Sequence, residues 1–312
     1  MQHQNYWSKR NELAEKAKSW TDKMYTDYIE SIKYSVRHTE SYNEKSELES
    51  FDRPKCVPDF KIKEMDTISA IFALPEESED LKVCVLNFAS YKEPGGKFLD
   101  GSKAQEECLC HESFLYNVLK EFDNEKYYSA NKKALNKALY YNRALYSPKI
   151  AFLRGDDLFK RIDVLTCAAP NFTAAKKYCN VTEAENEKAL RSRICFILDI
   201  MEEQHVDIPI LGAFGCGVFG QDATIVATMF KQELESGRYG FKEVAFAIIP
   251  GPNADDFKTV FEQPILYEYT DSYTTDDGWY HGADDAVSVD SYTTDDGWYH
   301  GADDAVSVAT KK

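Results

Sequence analysis

The sequence predicts an α/β protein with a mixed or mostly parallel central sheet. Short continuous apolar runs are typical of strands buried on both faces. Five such runs occur between residues 60 and 265: Val83–Ala89, Ile150–Leu153, Ile162–Ala168, Ile208–Leu211 and Val244–Ile249. Apolar residues with helical spacing lie between them, over residues 103–122, 182–203 and 222–235. This alternation of the two patterns indicates an α/β domain.

The composition excludes two broad classes of function. Acidic residues outnumber basic ones by 53 to 37, which gives a net charge of −16. General nucleic-acid binding is not expected, because neutralising phosphates requires clustered Lys and Arg. No apolar run approaches the ~20 residues of a membrane span, and the polar N-terminus lacks the apolar core of a secretory signal. We therefore expect neither a nucleic-acid nor a membrane partner.

The eight cysteines and six histidines indicate neither disulfides nor metal ligands. Several cysteines fall inside apolar runs and none form a C-x-x-C pair, which predicts buried free thiols in a reducing cytoplasm. The histidines show no ligand pair at helical or hairpin spacing within the domain. We expect no metal and no cofactor.

Two segments flank the predicted domain of residues 56–268. Residues 1–55 have one apolar helical face, which we expect to pack on the domain; it consists of Leu13, Ala17, Trp20, Met24, Tyr28 and Ile32. Residues 269–312 form an acidic tail in which 271–289 is repeated without change as 290–308. Each copy holds five Asp and no Lys or Arg, so we expect disorder. The aromatic residues of the tail could dock on a partner protein, but a duplication without a folded role is the favoured explanation of the repeat.

The first candidate site follows the strand at Val83–Ala89. Gly95 and Gly96 would let backbone approach a ligand closely, and Asn87 could offer its amide to sugar hydroxyls. A capping box at Ser102-x-x-Gln105 would start a helix and put two glutamates in its first turn. Helix neighbours point roughly 100° apart, so one carboxylate would bind the sugar while the other handles protons. Alternatively, these glutamates only favour the start of a helix.

The second candidate site follows the strand at Ile208–Leu211. Residues 212–220 contain four glycines in nine residues and precede a predicted helix. Backbone N–H groups in such a loop can hold a diphosphate, and the helix dipole adds to this. The spacing matches neither a P-loop nor G-x-G-x-x-G, and a tight structural turn remains an alternative.

Together these motifs resemble the bacterial-type poly(ADP-ribose) glycohydrolases, which are macrodomains. The resemblance spans roughly residues 60–265, and its motifs are Asn87-Phe-Ala-Ser, Pro94-Gly-Gly, Gln105-Glu-Glu and the glycine loop of residues 212–220. It implies a three-layer α/β/α fold with a mixed central sheet. It also implies hydrolysis of O-glycosidic bonds of ADP-ribose without a metal, on ADP-ribose polymers or ADP-ribosylated proteins.

The resemblance also implies roles for individual residues. Glu107 would be the catalytic acid and base, Glu106 would hold the ribose beside the scissile bond, and Asn87 would orient it. The backbone of Gly95 and Gly96 would approach the ligand. The other residues implied in substrate binding are Lys97, Phe98, Gln105, Phe214, Gly215, Cys216, Gly217, Val218, Phe219 and Gly220. In that set the stretch from residue 215 to 220 would wrap the diphosphate, and one of the two phenylalanines 214 and 219 would pack near the distal ribose.

One position departs from the family pattern. Lys97 stands where the family has a third glycine. If this position needs φ > 0, the lysine costs of order 1 kcal/mol; it could instead reach a phosphate, or crowd the site. Two other functions therefore remain open beside the hydrolase: a reader that binds ADP-ribose without cleaving it, and a hydrolase of a related nucleotide derivative. Two adjacent glutamates favour an enzyme, because ribose binding alone hardly needs both.

Overall fold

The structure is a computed structural model that describes residues 2–48, 54–75, 80–124, 126–155 and 158–263. Its strands are β1 Glu40–Tyr42, β2 Asp59–Lys63, β3 Val83–Phe88, β4 Ala144–Arg154, β5 Leu158–Cys167, β6 Ile208–Leu211 and β7 Glu243–Ala247. Its α-helices are α1 Gln2–His38, α2 Thr67–Phe72, α3 Gln105–His111, α4 Leu115–Leu119, α5 Tyr128–Lys132, α6 Phe172–Cys179, α7 Glu183–Glu203, α8 Ala223–Glu235 and α9 Pro252–Glu262. The predicted acidic tail lies outside the described residues.

The described strands form one mixed sheet in the order β1-β4-β5-β3-β6-β7-β2. Strands β5, β3, β6, β7 and β2 run parallel to one another, whereas β4 is antiparallel to both β1 and β5. The predicted mixed sheet is therefore confirmed. Since β3 lies between β5 and β6, the loops that follow these three strands leave the same edge of the sheet.

Helices cover both faces of the sheet. On β3, Val85 and Leu86 are both fully buried and join different apolar clusters, because successive strand residues point to opposite faces. The Leu86 cluster includes Phe196 of α7 and Phe230 of α8. The Val85 cluster includes Leu115 of α4. The three-layer α/β/α arrangement is confirmed. No helix in the described ranges combines the length and the apolar character needed to cross a membrane.

The polar segment after the first helix contributes strands that the sequence pattern did not predict. Helix α1 was expected, and Ala17 and Met24 on its predicted apolar face are fully buried. Strand β1 follows it at once and pairs with residues 144–146 of β4. Strand β2 pairs in parallel with β7. Both are edge strands with few buried side chains, so they lack the continuous apolar run of a central strand.

The single helix predicted over residues 103–122 is wrong. Helix α3 ends at His111, and α4 starts only at Leu115. Between them the Ser113 hydroxyl donates to the Leu109 carbonyl at 2.6 Å and accepts the Leu115 N–H at 3.0 Å. A serine that bonds to nearby backbone in this way competes with the helical pattern. By contrast, α7 begins with a capping box between Thr182 and Glu185.

Candidate active site

The two loops singled out from the sequence meet at the carboxyl edge of the parallel strands. One follows β3 and the other follows β6, and these strands are hydrogen-bonded neighbours. The ring of Phe88, at the end of β3, meets the ring of Phe214 edge to face at 5.7 Å. The glutamate pair and the glycine loop, separated by about a hundred residues in sequence, therefore share one edge of the sheet.

Glu106 is fixed by two donors from the β3 side. Helix α3 places it in its first turn, where the side chain is 3% exposed. Its Oε1 accepts a hydrogen bond from Asn87 Nδ2 at 3.2 Å, and its Oε2 accepts one from the Ser90 N–H at 2.7 Å. Both carboxyl oxygens are thus occupied by groups of the protein.

Glu107 has one oxygen to spare. Its Oε1 accepts the Lys97 N–H at 2.8 Å, while its buried Oε2 has no partner among the described residues. The buried Oδ1 of Asn87 likewise has no partner there. Leaving buried polar atoms unpaired costs free energy, so each such atom needs an explanation. A ligand hydroxyl or a water could complete both.

The two glycines before Lys97 make room for side chains of α3 and α4 that pack against the loop, and Gly96 makes room for the carboxylates. Gly96 has φ +59°, and a Cβ there would lie 2.6 Å from Glu107 Oε1 and 3.0 Å from Glu106 Oε2. Gly95 has φ +67°, and its Cβ would lie 2.8 Å from Tyr116. Both positions therefore exclude larger residues by space as well as by backbone conformation. The loop can close over the carboxylates only because these side chains are missing.

Burial controls the protonation of Glu106. Loss of hydration raises the pKa of Glu106 to about 8; the Ser90 N–H and the Asn87 amide lower this pKa, and the nearby Glu107 charge raises it. Burial thus favours the neutral form of Glu106. The start of a helix favours the charged form of a carboxylate, but here burial outweighs that effect, in a helix of only seven residues.

This buried acid should make stability depend on pH. The folded-state pKa of Glu106 is about 8, above its ordinary value of 4.5. The folded state therefore binds more protons between these values, and its stability falls as pH rises through about 8. The melting temperature of the wild type, compared with that of Glu106→Gln, should fall between pH 5 and pH 9. Thermal melts of both proteins across this range test the prediction, and a gap that stays constant with pH would contradict it.

Lys97 is held in an ordinary backbone conformation. Its φ of −104° and ψ of 34° lie outside the left-handed region, so the strain considered from the sequence is absent. Its N–H donates to Glu107 Oε1, and its carbonyl accepts hydrogen bonds from the N–H groups of Asp100 and Ser102, each at 3.1 Å. The backbone of residue 97 thus positions the carboxylate whatever the side chain does.

Two of the residues predicted to bind substrate instead support the loop with their side chains. The Gln105 amide accepts the Phe88 N–H and donates to the Leu86 carbonyl, both at 2.9 Å, so it ties α3 to β3. The N-cap of α3 is Ala104, without a side-chain bond, so the predicted capping box at Ser102 is wrong. The ring of Phe98 is fully buried against His111 at 4.7 Å.

The glycine loop is pressed against the segment that follows β5. A Cβ at Gly215 would lie 2.8 Å from Ala169, and one at Gly220 would lie 2.3 Å from the Thr173 hydroxyl. Tight packing alone thus explains these two glycines. A Cβ at Gly217 would meet no atom within 4 Å. In the described chain the N–H groups of residues 217–219 donate no hydrogen bond, and three consecutive donors suit an anion.

The side chains of the glycine loop divide between core and cleft. Phe214 is fully buried, and burial raises the pKa of the half-buried Cys216 thiol to about 12, so this sulfur is not a nucleophile. Val218 is exposed. Phe219 is partly buried, 6.2 Å from the ring of Tyr140. Of the two phenylalanines proposed for the distal ribose, only Phe219 has surface left for a ligand.

A pair of stacked tyrosines at the site had no sequence signal. Tyr91, just after β3, stacks on Tyr140 with ring centroids 4.2 Å apart and planes 9° apart. Tyr140 has φ +61°, which is uncommon for a bulky residue and is found more often at functional sites. Since Tyr140 also meets Phe219, the stack connects the two loops. No motif links residues so far apart in the chain.

Fold and site together define an α/β protein with a buried carboxylate pair and a glycine loop at the carboxyl edge of its parallel strands. Residues 11–155 match the family described as microbial-type PARG, catalytic domain, where PARG is poly(ADP-ribose) glycohydrolase. Among the curated proteins, none matches the chain. In the described ranges, no group of three His, Cys, Asp or Glu side chains could hold a metal ion.

Solved structures of bacterial enzymes agree with this match. Poly(ADP-ribose) glycohydrolase from Thermomonospora curvata is 28% identical, with a TM-score of 0.72 over 81% of this chain and 100% of that chain. Its complex with the inhibitor ADP-HPD is also 28% identical, with a TM-score of 0.70 over 80% and 99%. The Deinococcus radiodurans enzyme in complex with ADP-ribose is 27% identical, with a TM-score of 0.65 over 74% and 97%. The resemblance drawn from the motifs is confirmed: the chain is related in sequence and in fold to the bacterial poly(ADP-ribose) glycohydrolases.

Proposed function

We propose that this chain hydrolyses O-glycosidic bonds of ADP-ribose, as a poly(ADP-ribose) glycohydrolase does. The observation that carries the proposal is the buried Glu107 Oε2, which lacks a partner beside a glycine loop suited to a diphosphate. Its other oxygen is held by the backbone of Lys97, so the carboxyl is fixed and one oxygen remains for chemistry. Glu106 has no such spare oxygen, which supports giving it the ribose-positioning role together with Asn87.

In the proposed mechanism Glu107 acts as both acid and base. Its carboxyl protonates the leaving oxygen as the bond from that oxygen to the anomeric carbon breaks. The ribose becomes an oxocarbenium-like cation, steadied by the nearby diphosphate. The Glu107 carboxylate then takes a proton from water, and the water oxygen bonds to the anomeric carbon.

Release of ADP-ribose tests this proposal. The full chain is incubated with poly(ADP-ribose) and, separately, with mono-ADP-ribosylated protein, and free ADP-ribose is measured by chromatography. We expect release from at least one of them. Tight binding of ADP-ribose without any release would support the reader alternative. The replacement of the third family glycine does not favour that alternative, since Lys97 leaves the backbone unstrained.

Lys97 should contribute to binding through its charge. Removing a partly exposed cation next to a dianionic ligand should weaken ADP-ribose binding about twofold to fivefold at low salt, and less at high salt. Titration of wild type, Lys97→Gly and Lys97→Ala at both salt levels measures this. The alanine variant separates charge from backbone freedom, so the two variants should weaken alike. Tighter binding by the glycine variant at both salt levels would mean that Lys97 obstructs the site.

The cellular setting is also part of the proposal. We assign the fold to the macrodomains and the protein to the reducing cytoplasm. All eight cysteines are free, and Cys84, Cys110 and Cys167 are buried, as expected where thiols stay reduced. The ligand is ADP-ribose, free or attached to protein, rather than nucleic acid.

A further inference from the structure

A cavity lies at the opposite edge of the sheet from the carboxylates. It has a volume of about 680 Å³ and lies between α1, the start of β3 and the paired strands β4 and β5. The side chains that matter for its chemistry are Glu30, Tyr34, Lys82, Lys149, Arg161 and Asp163. Strand β3 is six residues long, so its two ends lie roughly 17 Å apart. The cavity is therefore separate from the glutamate site.

Both acidic side chains of the cavity are already engaged. Asp163 accepts the Tyr146 hydroxyl at 2.6 Å and the Lys149 N–H at 2.8 Å, and Lys82 Nζ lies 3.7 Å from it. Glu30 pairs with Lys33 at 2.9 Å. These contacts neutralise much of the negative charge of the cavity. The contact with Asp163 also pairs the charge of Lys82.

The two remaining cations have only aromatic partners. Lys149 Nζ lies 5.1 Å from the ring of Tyr34, and the Arg161 guanidinium lies 5.0 Å from the ring of Phe159. Among the described residues neither has a carboxylate at ion-pair distance. Both cations line the same cavity. A ring contact leaves the charge available to an anion.

The backbone holds one of these cations in a strained conformation. Lys149 has φ +58°, at a bulge where the register of β4 and β5 shifts between Ser147 and Ile150. A left-handed conformation is unfavourable for a lysine, and bulges often serve to redirect a side chain. Here the bulge presents Lys149 to the cavity while its N–H binds Asp163.

We propose that this cavity is an anion site that binds a phosphate-bearing part of the substrate polymer remote from the bond being cleaved. The inference rests on the proposed function. A polymer of ADP-ribose carries a diphosphate in every unit, so a long chain held at Glu107 can also present phosphates at the far edge of the sheet. Lys149 and Arg161 would pair with these phosphates. Long polymers would then bind more tightly than single ADP-ribose units.

Neutralising the two cations tests the proposal. In a Glu107→Gln background, which is designed to prevent cleavage, the affinity for long poly(ADP-ribose) is compared with and without Lys149→Gln and Arg161→Gln. The double change should weaken polymer binding roughly threefold to tenfold at low salt, with the difference shrinking at high salt. The affinity for monomeric ADP-ribose should not change. In the otherwise wild-type chain, the double change should raise KM for long polymer and leave kcat unchanged.

A matched control separates this site from general charge effects. Lys120, at the end of α4, lies 5.4 Å from the ring of Tyr25, which is on α1 like Tyr34. Lys120→Gln therefore removes an equivalent cation outside the cavity. It should leave polymer affinity unchanged. Equal polymer affinity in the double variant and its parent would overturn the proposal, as would an equal loss in Lys120→Gln. If the wild type releases no ADP-ribose, the proposed hydrolase function fails, while the polymer-binding comparison still decides whether the cavity binds the polymer.

Discussion

Glu107→Gln is expected to reduce turnover about a thousandfold while ADP-ribose affinity changes less than about twofold. General acid–base catalysis by one positioned group typically contributes 10²- to 10⁴-fold, and an amide can neither donate nor take the proton. Glutamine keeps the shape of the side chain and can still accept the Lys97 N–H. Binding should therefore survive. Single-turnover release of ADP-ribose and calorimetric titration measure the two quantities.

A second glutamate at the end of the same helix provides the control. Glu112, the C-cap of α3, pairs with Arg154 at 2.6 Å, so Glu112→Gln changes the charge by the same amount. Its turnover should equal that of the wild type. Unchanged turnover in Glu107→Gln would remove Glu107 from the mechanism and move attention to Glu106.

Gly96→Ala is expected to lower turnover about a hundredfold. Its Cβ would lie 2.6 Å from Glu107 Oε1 and 3.0 Å from Glu106 Oε2, so either the loop or both carboxyls must move. Displacing a catalytic group by about 1 Å can cost 10²-fold in rate. Steady-state kinetics on poly(ADP-ribose) measures the loss, and it should fall mainly on kcat.

Gly237→Ala serves as a control that measures the effect of a left-handed backbone conformation without a steric contact. Gly237 has φ +73°, close to the +59° of Gly96, but a Cβ there meets no atom within 4 Å. Gly237→Ala should therefore cost only the left-handed conformation, about 1 kcal/mol of stability, and no activity. Equal activity loss in both variants would show that the contact with the carboxylates is irrelevant.

The sequence predicted the centre of the fold better than its edges. Central strands such as β6 are continuous apolar runs because both faces are covered, and its predicted bounds are confirmed. Strands β1 and β2 lie at the edges, where polar side chains hide the pattern. The helix predicted over residues 103–122 was wrong because the apolar periodicity continues through Ser113. The Ser113 hydroxyl instead bonds to the Leu109 carbonyl and the Leu115 N–H, and the helix is interrupted there.

At the candidate site the motifs located the right loops but not the use of each side chain. Gln105 belongs to the family motif, yet its amide is consumed by the backbone of β3. A motif records that a residue is required and does not say whether it faces ligand or core. The Tyr91–Tyr140 stack depends on chain segments that only the folded topology brings together. Sequence spacing carries no information about such pairs.

The long first helix has a consequence for the order in which the protein is made. Helix α1 is synthesised before its partners, and its contacts lie much later in the chain: Trp20 donates to the Ser113 carbonyl over 93 residues, and Ser35 donates to the Pro148 carbonyl over 113 residues. Gly101, where a Cβ would lie 2.1 Å from the Arg10 carbonyl, adds a third late contact. The apolar face of α1 therefore stays uncovered until the segment from residue 113 to residue 148 has been synthesised. Contacts of such long range slow folding, so the nascent helix is a natural client for a chaperone during this interval.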